Sequence, residues 1–147
     1  MTLNEQIVEE AKNWAGIPYQ HRSWTKNGCD CTGLLIGIMK AIGIGPNYEI
    51  RKYPIDWCLH GMADNHVVKE LMKLATPISK SATKAGDVLI FKWGRCESHV
   101  GIKIKDDLFL HTRMNDISRF SKISSPMFFK RWVASFRFDE ERLKGLR

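Results

Sequence analysis

The sequence predicts an α+β fold in which N-terminal helices pack on a C-terminal antiparallel sheet. In the first half of the chain, apolar residues recur at the spacing of amphipathic helices. From Val88 onward they alternate with polar residues, which is typical of half-buried strands. Helices followed by a run of strands favour an α+β architecture. A chain of 147 residues can bury its own core, so we expect one domain over 1–147.

The first helix is predicted over Asn4–Trp14. Thr2 and Glu5 have the spacing of a capping box, and apolar residues follow at helical intervals. Gly16 and the proline after it end this pattern.

A second, buried helix is predicted over Cys31–Ala41. Asp30 is a favoured N-cap residue, and the apolar residues that follow form a continuous stripe. Gly43 closes the helix. A third helix is predicted over Asn65–Leu74, after an irregular segment.

The second half of the chain contains the predicted strands. A short helical turn is expected before the last strand, and a charged tail is expected over 138–147. The strands are predicted at Val88–Trp93, His99–Ile104, Leu108–Thr112, Ile117–Ile123 and Trp132–Phe138, and the turn at Pro126–Lys130.

Two of these strands are expected to form a hairpin closed by the three-residue loop 105–107. Opposite residues in an antiparallel pair share a face, and a slip of one residue would invert every side chain. Keeping the apolar residues together requires that Ile104 faces Leu108, Ile102 faces Leu110 and Val100 faces Thr112.

This register places two histidines on one face of the hairpin. His111 lies opposite Gly101 and diagonal to His99, a separation that two imidazoles can bridge, and Gly101 is expected to leave space between them. A single histidine on a strand is more often a surface or core residue, and we interpret His21, His60 and His66 as surface or loop residues.

Cys31 is the candidate nucleophile for which the histidine pair would act as base and orienting group. It falls in the first turn of a buried helix, where unpaired N–H groups and the positive dipole end favour a thiolate. A cysteine and two histidines have the composition of a nucleophile, a base and a group that orients the base.

Composition and charge limit the other classes of function. Apolar residues make up 44% of the chain and charged residues 27%, an ordinary globular mixture. The net charge of +7 favours polyanionic partners, but the basic residues are scattered and no nucleic-acid motif is present, so no nucleic acid is expected. No apolar run is long enough for a membrane span.

No secretory signal is evident at the N-terminus, so we expect synthesis in the cytoplasm. Action on a cell wall would then require lysis, carriage on a particle or another export route.

Four cysteines, at positions 29, 31, 58 and 96, raise the alternatives of disulfides or zinc. A chain of this length does not need disulfide staples. The pairs Cys29 and Cys31, Cys58 and His60, and Cys96 and His99 could be combined into a zinc site, but the usual paired C-x-x-C spacing is absent. We therefore expect no metal or other cofactor, and we interpret Cys29 as structural.

Five short segments, in this order along the chain, resemble the NlpC/P60 cysteine peptidases. The segment 30–34, D-C-T-G-L, resembles the family's D-C-S-G-L motif around its cysteine, with threonine in place of serine. The other matches are the G-x-P-Y stretch in 15–19, the G-D strand 86–91, the H-V-G-I strand 98–102 and the polar position in 110–111.

This resemblance implies a papain-like fold and hydrolysis of peptide bonds in peptidoglycan stem peptides, typically between D-glutamate and a diamino acid. It implies Cys31 as nucleophile, His99 as general base and His111 as the residue that orients it. Tyr19 and Asp30 would lie on the oxyanion and substrate side. This short chain is most similar to the phage-type wall peptidases of the family. The similarity makes a phage tail or another assembly a candidate partner.

Two other functions fit the same residues. The fold also supports acyltransferases and amidases on other substrates. A non-enzymatic basic module that binds a polyanion would keep its affinity without Cys31.

Overall fold

A computed structural model describes residues 1–21, 23–44, 73–93 and 96–145. Helices occupy the first part of the chain and a six-stranded antiparallel sheet the second, so the predicted α+β class is confirmed. The six strands are labelled below by their place along the chain, and they lie side by side in the order β3-β8-β4-β5-β6-β7. The helices are α1 Leu3–Ala11, α2 Cys31–Ala41, α3 Pro126–Phe129 and α4 Glu140–Gly145. The strands are β1 Trp24–Thr25, β2 Gly28–Cys29, β3 Ala75–Ile78, β4 Val88–Trp93, β5 Cys96–Lys105, β6 Leu108–His111, β7 Arg119–Lys122 and β8 Trp132–Phe138.

The two N-terminal helices form where the sequence predicts them. The Thr2–Glu5 capping box is present at the start of α1, and the last predicted turn, Lys12–Trp14, tightens into a 3-10 helix. In α2, a Cβ atom at Gly37 would overlap the ring of Trp14. The small residue therefore lets the end of the first helix pack closely against the second.

Apolar residues cover both faces of the central strands. On one face, residues such as Val88 and Ile90 join the side chains of α1 and α2 in the main core. On the other face, Leu89 and Phe91 belong to a smaller cluster that also contains Phe109, Ile123 and Phe128. We call this second group the aromatic cluster, and it lies beneath the candidate site.

The β5–β6 hairpin confirms part of the predicted register. Gly101 faces His111 and Ile102 faces Leu110, as expected. The prediction that Ile104 faces Leu108 is wrong, because the register shifts and Leu108 pairs with Lys105. The turn contains only residues 106 and 107, and the extra residue forms a bulge beside it.

Strand boundaries elsewhere differ little from the predictions. β4 and β8 match, β5 is longer at both ends, and β6 and β7 are shorter than predicted. The turn at Pro126 is present as α3. The predicted helix Asn65–Leu74 lies outside the described residues except for its last two, which form a turn.

The sequence does not predict β3, because a proline, here Pro77, favours the end of an element over the interior of a strand. The proline instead lies in the outermost strand of the described sheet, a position that tolerates the missing N–H donor.

The predicted tail is also wrong, because Glu140–Gly145 forms α4. The Asp139 carboxylate accepts a hydrogen bond from the backbone N–H of Glu141 at 2.9 Å. Leu143 is 2% exposed and packs into the main core. A single apolar residue among charged neighbours is too weak a pattern to predict a docked helix.

None of the helices in the described residues has the length and hydropathy needed to cross a bilayer.

The buried carboxylate of Asp87 joins the two ends of the domain. Asp87 is fully buried at the start of β4. It accepts hydrogen bonds from Asn4 Nδ2 in α1 and from the Lys84 backbone N–H, each at 2.9 Å. Arg137 on β8 donates to it from both Nε and Nη2 at 2.9 Å. This bidentate pair explains why an aspartate directly precedes the strand.

We expect Arg137→Met to lower the free energy of unfolding by about 2–3 kcal/mol, because a buried carboxylate loses its charged partner. Urea denaturation measures the change. Lys12→Ala is the control: its ion pair with Glu9 is exposed, with side chains 51% and 59% accessible, and should contribute little. Equal losses in the two variants would contradict the assignment.

Candidate active site

Cys31 is the first residue of α2, and its position is fixed by backbone contacts around the helix start. The Asp30 carboxylate caps the helix by accepting a hydrogen bond from Gly33 N–H at 2.7 Å. The Asp30 N–H donates to the carbonyl of Ser23 at 3.2 Å. A Cβ atom at Gly33 would overlap that same carbonyl oxygen, so glycine is required for the loop to pass this close.

His99 and His111 meet on one face of the β5–β6 hairpin, which confirms the predicted pairing. His99 Nε2 and His111 Nδ1 are 3.0 Å apart, a hydrogen-bond distance. Gly101 has a different role from the one expected. A Cβ atom there would lie 2.7 Å from the ring of Phe109, so the glycine makes room for that ring.

The aromatic cluster holds both imidazoles. His111 stacks on Phe109 with ring centroids 4.6 Å apart, and the edge of Phe128 approaches it at 4.9 Å. His99 lies 5.8 Å from Phe91 and 6.4 Å from Phe128, measured between ring centroids. The rings are therefore held by packing as well as by their hydrogen bond.

The thiol of Cys31 lies against β5. It hydrogen-bonds the backbone of Val100, the residue that follows His99. Helix α2 packs on the face of the sheet that carries Val100, whereas the aromatic cluster lies on the other face. The structure thus joins His99 to His111 and places Cys31 against the residue that follows His99.

Tyr19 also lies at this site. Its backbone N–H donates to the carbonyl of Asp116 at 3.0 Å. Tyr19 also forms an isolated parallel β-bridge with Cys29 of β2. Burial raises the pKa of the Tyr19 phenol, and negative charge on Cys31 and Asp30 raises it further. The hydroxyl is therefore protonated at neutral pH and can donate a hydrogen bond beside the thiol.

The Asp30 side chain does not lie on the substrate side, where the resemblance implies it. It is 1% exposed and its carboxylate accepts hydrogen bonds from Gly33 N–H and from Thr32 Oγ1, the latter at 3.3 Å. Because these contacts occupy a carboxylate that solvent does not reach, Asp30 positions Cys31 rather than facing a ligand.

Sequence reasoning missed Ser121. Its Oγ lies 2.8 Å from His111 Nε2, on the side of the ring away from His99. Ser121 belongs to β7 and pairs with Phe109 of β6. The predicted strand 117–123 contained the residue, but the long connection from β6 left the register between the two strands undetermined.

The expectation that Cys31 is a thiolate is wrong for the protein without substrate. Burial raises the pKa of the thiol to about 12, and the negative charge of Asp30 adds to the increase. The helix N-terminus and hydrogen bonds from the backbone act in the opposite direction. Burial has the larger effect, so the resting group is a neutral thiol.

The two histidines are also neutral at rest. Burial lowers the pKa of His99 to about 3, with further contributions from positive charge on His111 and Arg113. Burial lowers the pKa of His111 to about 4, and Arg113 again contributes. A neutral imidazole beside a neutral thiol can accept its proton as the sulfur attacks an electrophile.

No group of three or more histidine, cysteine, aspartate or glutamate side chains in the described residues could hold a metal ion. Neither Cys29 nor Cys31 forms a disulfide. Cys58 and His60, which the zinc alternative requires, lie outside the described residues.

The sequence profile of the NlpC/P60 family matches residues 16–137. The chain is 28% identical over 126 residues to a probable endopeptidase of Haemophilus influenzae, covering 84% of this chain and 68% of that protein. It is 22% identical over 130 residues to the Escherichia coli K12 protein named murein DD-endopeptidase MepS/murein LD-carboxypeptidase, covering 88% and 60%. The chain therefore spans about two thirds of the length of these relatives.

A solved NlpC/P60 family protein from Bacillus cereus has the same fold. The TM-score is 0.69 at 19% identity, over 92% of this chain and 40% of that one. The similarity extends over the helices and the sheet that together form the candidate site.

We expect the rate of Cys31 alkylation by iodoacetamide to rise through pH 9 without a plateau, because the thiol is neutral at rest. The rate is measured by mass spectrometry in Cys29→Ala, where the tryptic peptide 27–40 retains Cys31 as its only cysteine. Cys31→Ala, with Cys29 present, measures the background. A plateau below pH 7 would indicate a thiolate–imidazolium pair instead.

We expect acid to destabilise the fold through the histidine pair. Both folded-state pKa values, about 3 and about 4, lie below the value of about 6.5 in an unfolded chain. The unfolded state therefore binds more protons below pH 6.5, and the free energy of unfolding falls toward pH 4. The slope is up to about 1.4 kcal/mol per pH unit for each histidine.

Urea denaturation between pH 7 and pH 4 measures this slope, with His111→Asn as the comparison. The variant should show a shallower dependence over the same range. Identical slopes would mean that the pair is not held neutral by burial.

Proposed function

Because the chain belongs to the NlpC/P60 family, we propose that it is a cysteine peptidase that hydrolyses peptide bonds in the stem peptides of bacterial peptidoglycan. The observation that carries this proposal is the arrangement of Cys31 at the start of α2, against the strand whose His99 is hydrogen-bonded to His111. A nucleophile, a base and an orienting group are what acyl transfer requires.

In the first step, His99 accepts the thiol proton while the sulfur of Cys31 attacks the carbonyl carbon of the scissile bond. Charge develops on the carbonyl oxygen. The backbone N–H of Cys31 and the protonated hydroxyl of Tyr19 are the donors we propose for that oxyanion, since both lie at the helix start.

In the second step, the C–N bond breaks and protonated His99 gives its proton to the leaving amine, which leaves a thioester on Cys31. Neutral His99 then takes a proton from a water molecule, and the resulting hydroxide attacks the thioester carbonyl. The acid product departs and the proton returns to the sulfur. His111 stays neutral throughout and keeps His99 oriented.

The bond we propose is the one between D-glutamate and the diamino acid of the stem peptide, which the motif resemblance implies. The Escherichia coli relative is instead named for DD-endopeptidase and LD-carboxypeptidase activities. An assay must therefore separate these three bonds by the masses of the fragments.

The net charge of +7 supports a polyanionic cell wall as the place of action. The phage-type setting and the assembly partner stay predictions from the motif resemblance.

We expect the purified protein to release stem-peptide fragments from peptidoglycan. Cys31→Ala should reduce the rate by roughly 10³-fold or more, because the covalent route is lost. Chromatography with mass spectrometry identifies the fragments. Cys29→Ala is the matched control: this cysteine is fully buried in β2 and should be dispensable for the chemistry.

Other outcomes would favour the alternatives. Transfer of an acyl group without net hydrolysis would indicate an acyltransferase. Peptidoglycan binding that is equal in wild type and Cys31→Ala, with no cleavage by either, would indicate a binding module.

A further inference from the structure

Ser121 is the last member of a hydrogen-bonded series that begins at His99. His99 Nε2 lies 3.0 Å from His111 Nδ1, and His111 Nε2 lies 2.8 Å from Ser121 Oγ. Each nitrogen of His111 therefore has one partner. A neutral imidazole has one N–H donor and one acceptor nitrogen, whereas a hydroxyl can donate or accept.

Two proton arrangements fit these distances. In the first, His99 Nε2–H donates to His111 Nδ1, and His111 Nε2–H donates to Ser121 Oγ. In the second, every donor is reversed: Ser121 donates to His111, which donates to His99. Only the first arrangement leaves Nδ1 of His99 unprotonated and able to accept a proton.

Protonation of His99 excludes the second of these two proton arrangements. An imidazolium donates from both nitrogens, so Nδ1 of His111 must be an acceptor when His99 has taken a proton. The proton of neutral His111 must then reside on Nε2, and a buried N–H without an acceptor is costly. The acceptor in the structure is Ser121 Oγ.

Packing prevents His111 from exchanging its two nitrogens. The ring lies on Phe109, with centroids 4.6 Å apart and planes inclined by 23°, and Phe128 approaches at 4.9 Å. His111 itself is 2% exposed. A ring held on two sides cannot easily turn over, so Nδ1 keeps facing His99 and Nε2 keeps facing Ser121.

We propose that Ser121 is a positioning residue that holds His111 in its Nε2–H tautomer and so keeps Nδ1 of His99 unprotonated and able to act as the base. It acts through His111 and touches no reacting atom. The catalytic consequence rests on the proposed function, whereas the tautomer can be observed without any substrate.

The direct test is the protonation of ¹⁵N-labelled histidines by two-dimensional NMR at neutral pH. In the wild type, the proton of His111 should lie on Nε2. In Ser121→Ala, His111 should become a mixture of tautomers. Ser121→Thr retains a hydroxyl on a residue suited to a strand and should restore the wild-type pattern.

Kinetics provide the second readout. Ser121→Ala should lower kcat about tenfold, equivalent to about 1.4 kcal/mol, with KM nearly unchanged. Ser121→Thr should recover most of the rate. Ser81→Ala is the matched control, because that serine is exposed and its hydroxyl contacts Ser79 far from the histidines.

A wild-type His111 protonated on Nδ1 would overturn the proposal. So would an unchanged tautomer in Ser121→Ala. If no peptidoglycan is cleaved by the wild type but the tautomer still depends on Ser121, the peptidase proposal fails and the positioning role stands.

Discussion

The register of the β5–β6 hairpin is the constraint on which the rest of the site depends. Pairing Gly101 with His111 places both imidazoles on the face that carries the aromatic cluster. A slip of one residue would turn His111 into the main core and bring Leu110 to the site. The bulge beside the turn absorbs one residue, so the register at the histidines is kept despite the irregular end of the hairpin.

Burial determines the electrostatics of the site. A helix N-terminus stabilises an anion by roughly 0.3–1 kcal/mol, whereas removing a charged group from water costs several times more. The thiol and both imidazoles are consequently neutral at rest. In the proposed reaction, charge separation is then confined to the step in which the proton moves from Cys31 to His99.

The sequence predicted what depends on local periodicity. Cys31 could be placed because a capping aspartate precedes an apolar stripe, and the histidine pair because two alternating strands share a short turn. Ser121 could not, since a long connection hides its register, and α4 could not, since Leu143 is the single apolar side chain of that segment. The protonation of Cys31 depends on burial by distant segments, which no local pattern contains.

β7, the strand that contains Ser121, supports the site less firmly than the central strands do. β7 is the outermost strand on its side of the described sheet, hydrogen-bonded only to β6. Edge segments open by local fluctuations at lower free energy than the central strands. Fraying of β7 would remove the hydrogen-bond partner of His111 Nε2 while the core stays intact, so warming would attenuate the proposed peptidase activity before the domain melts.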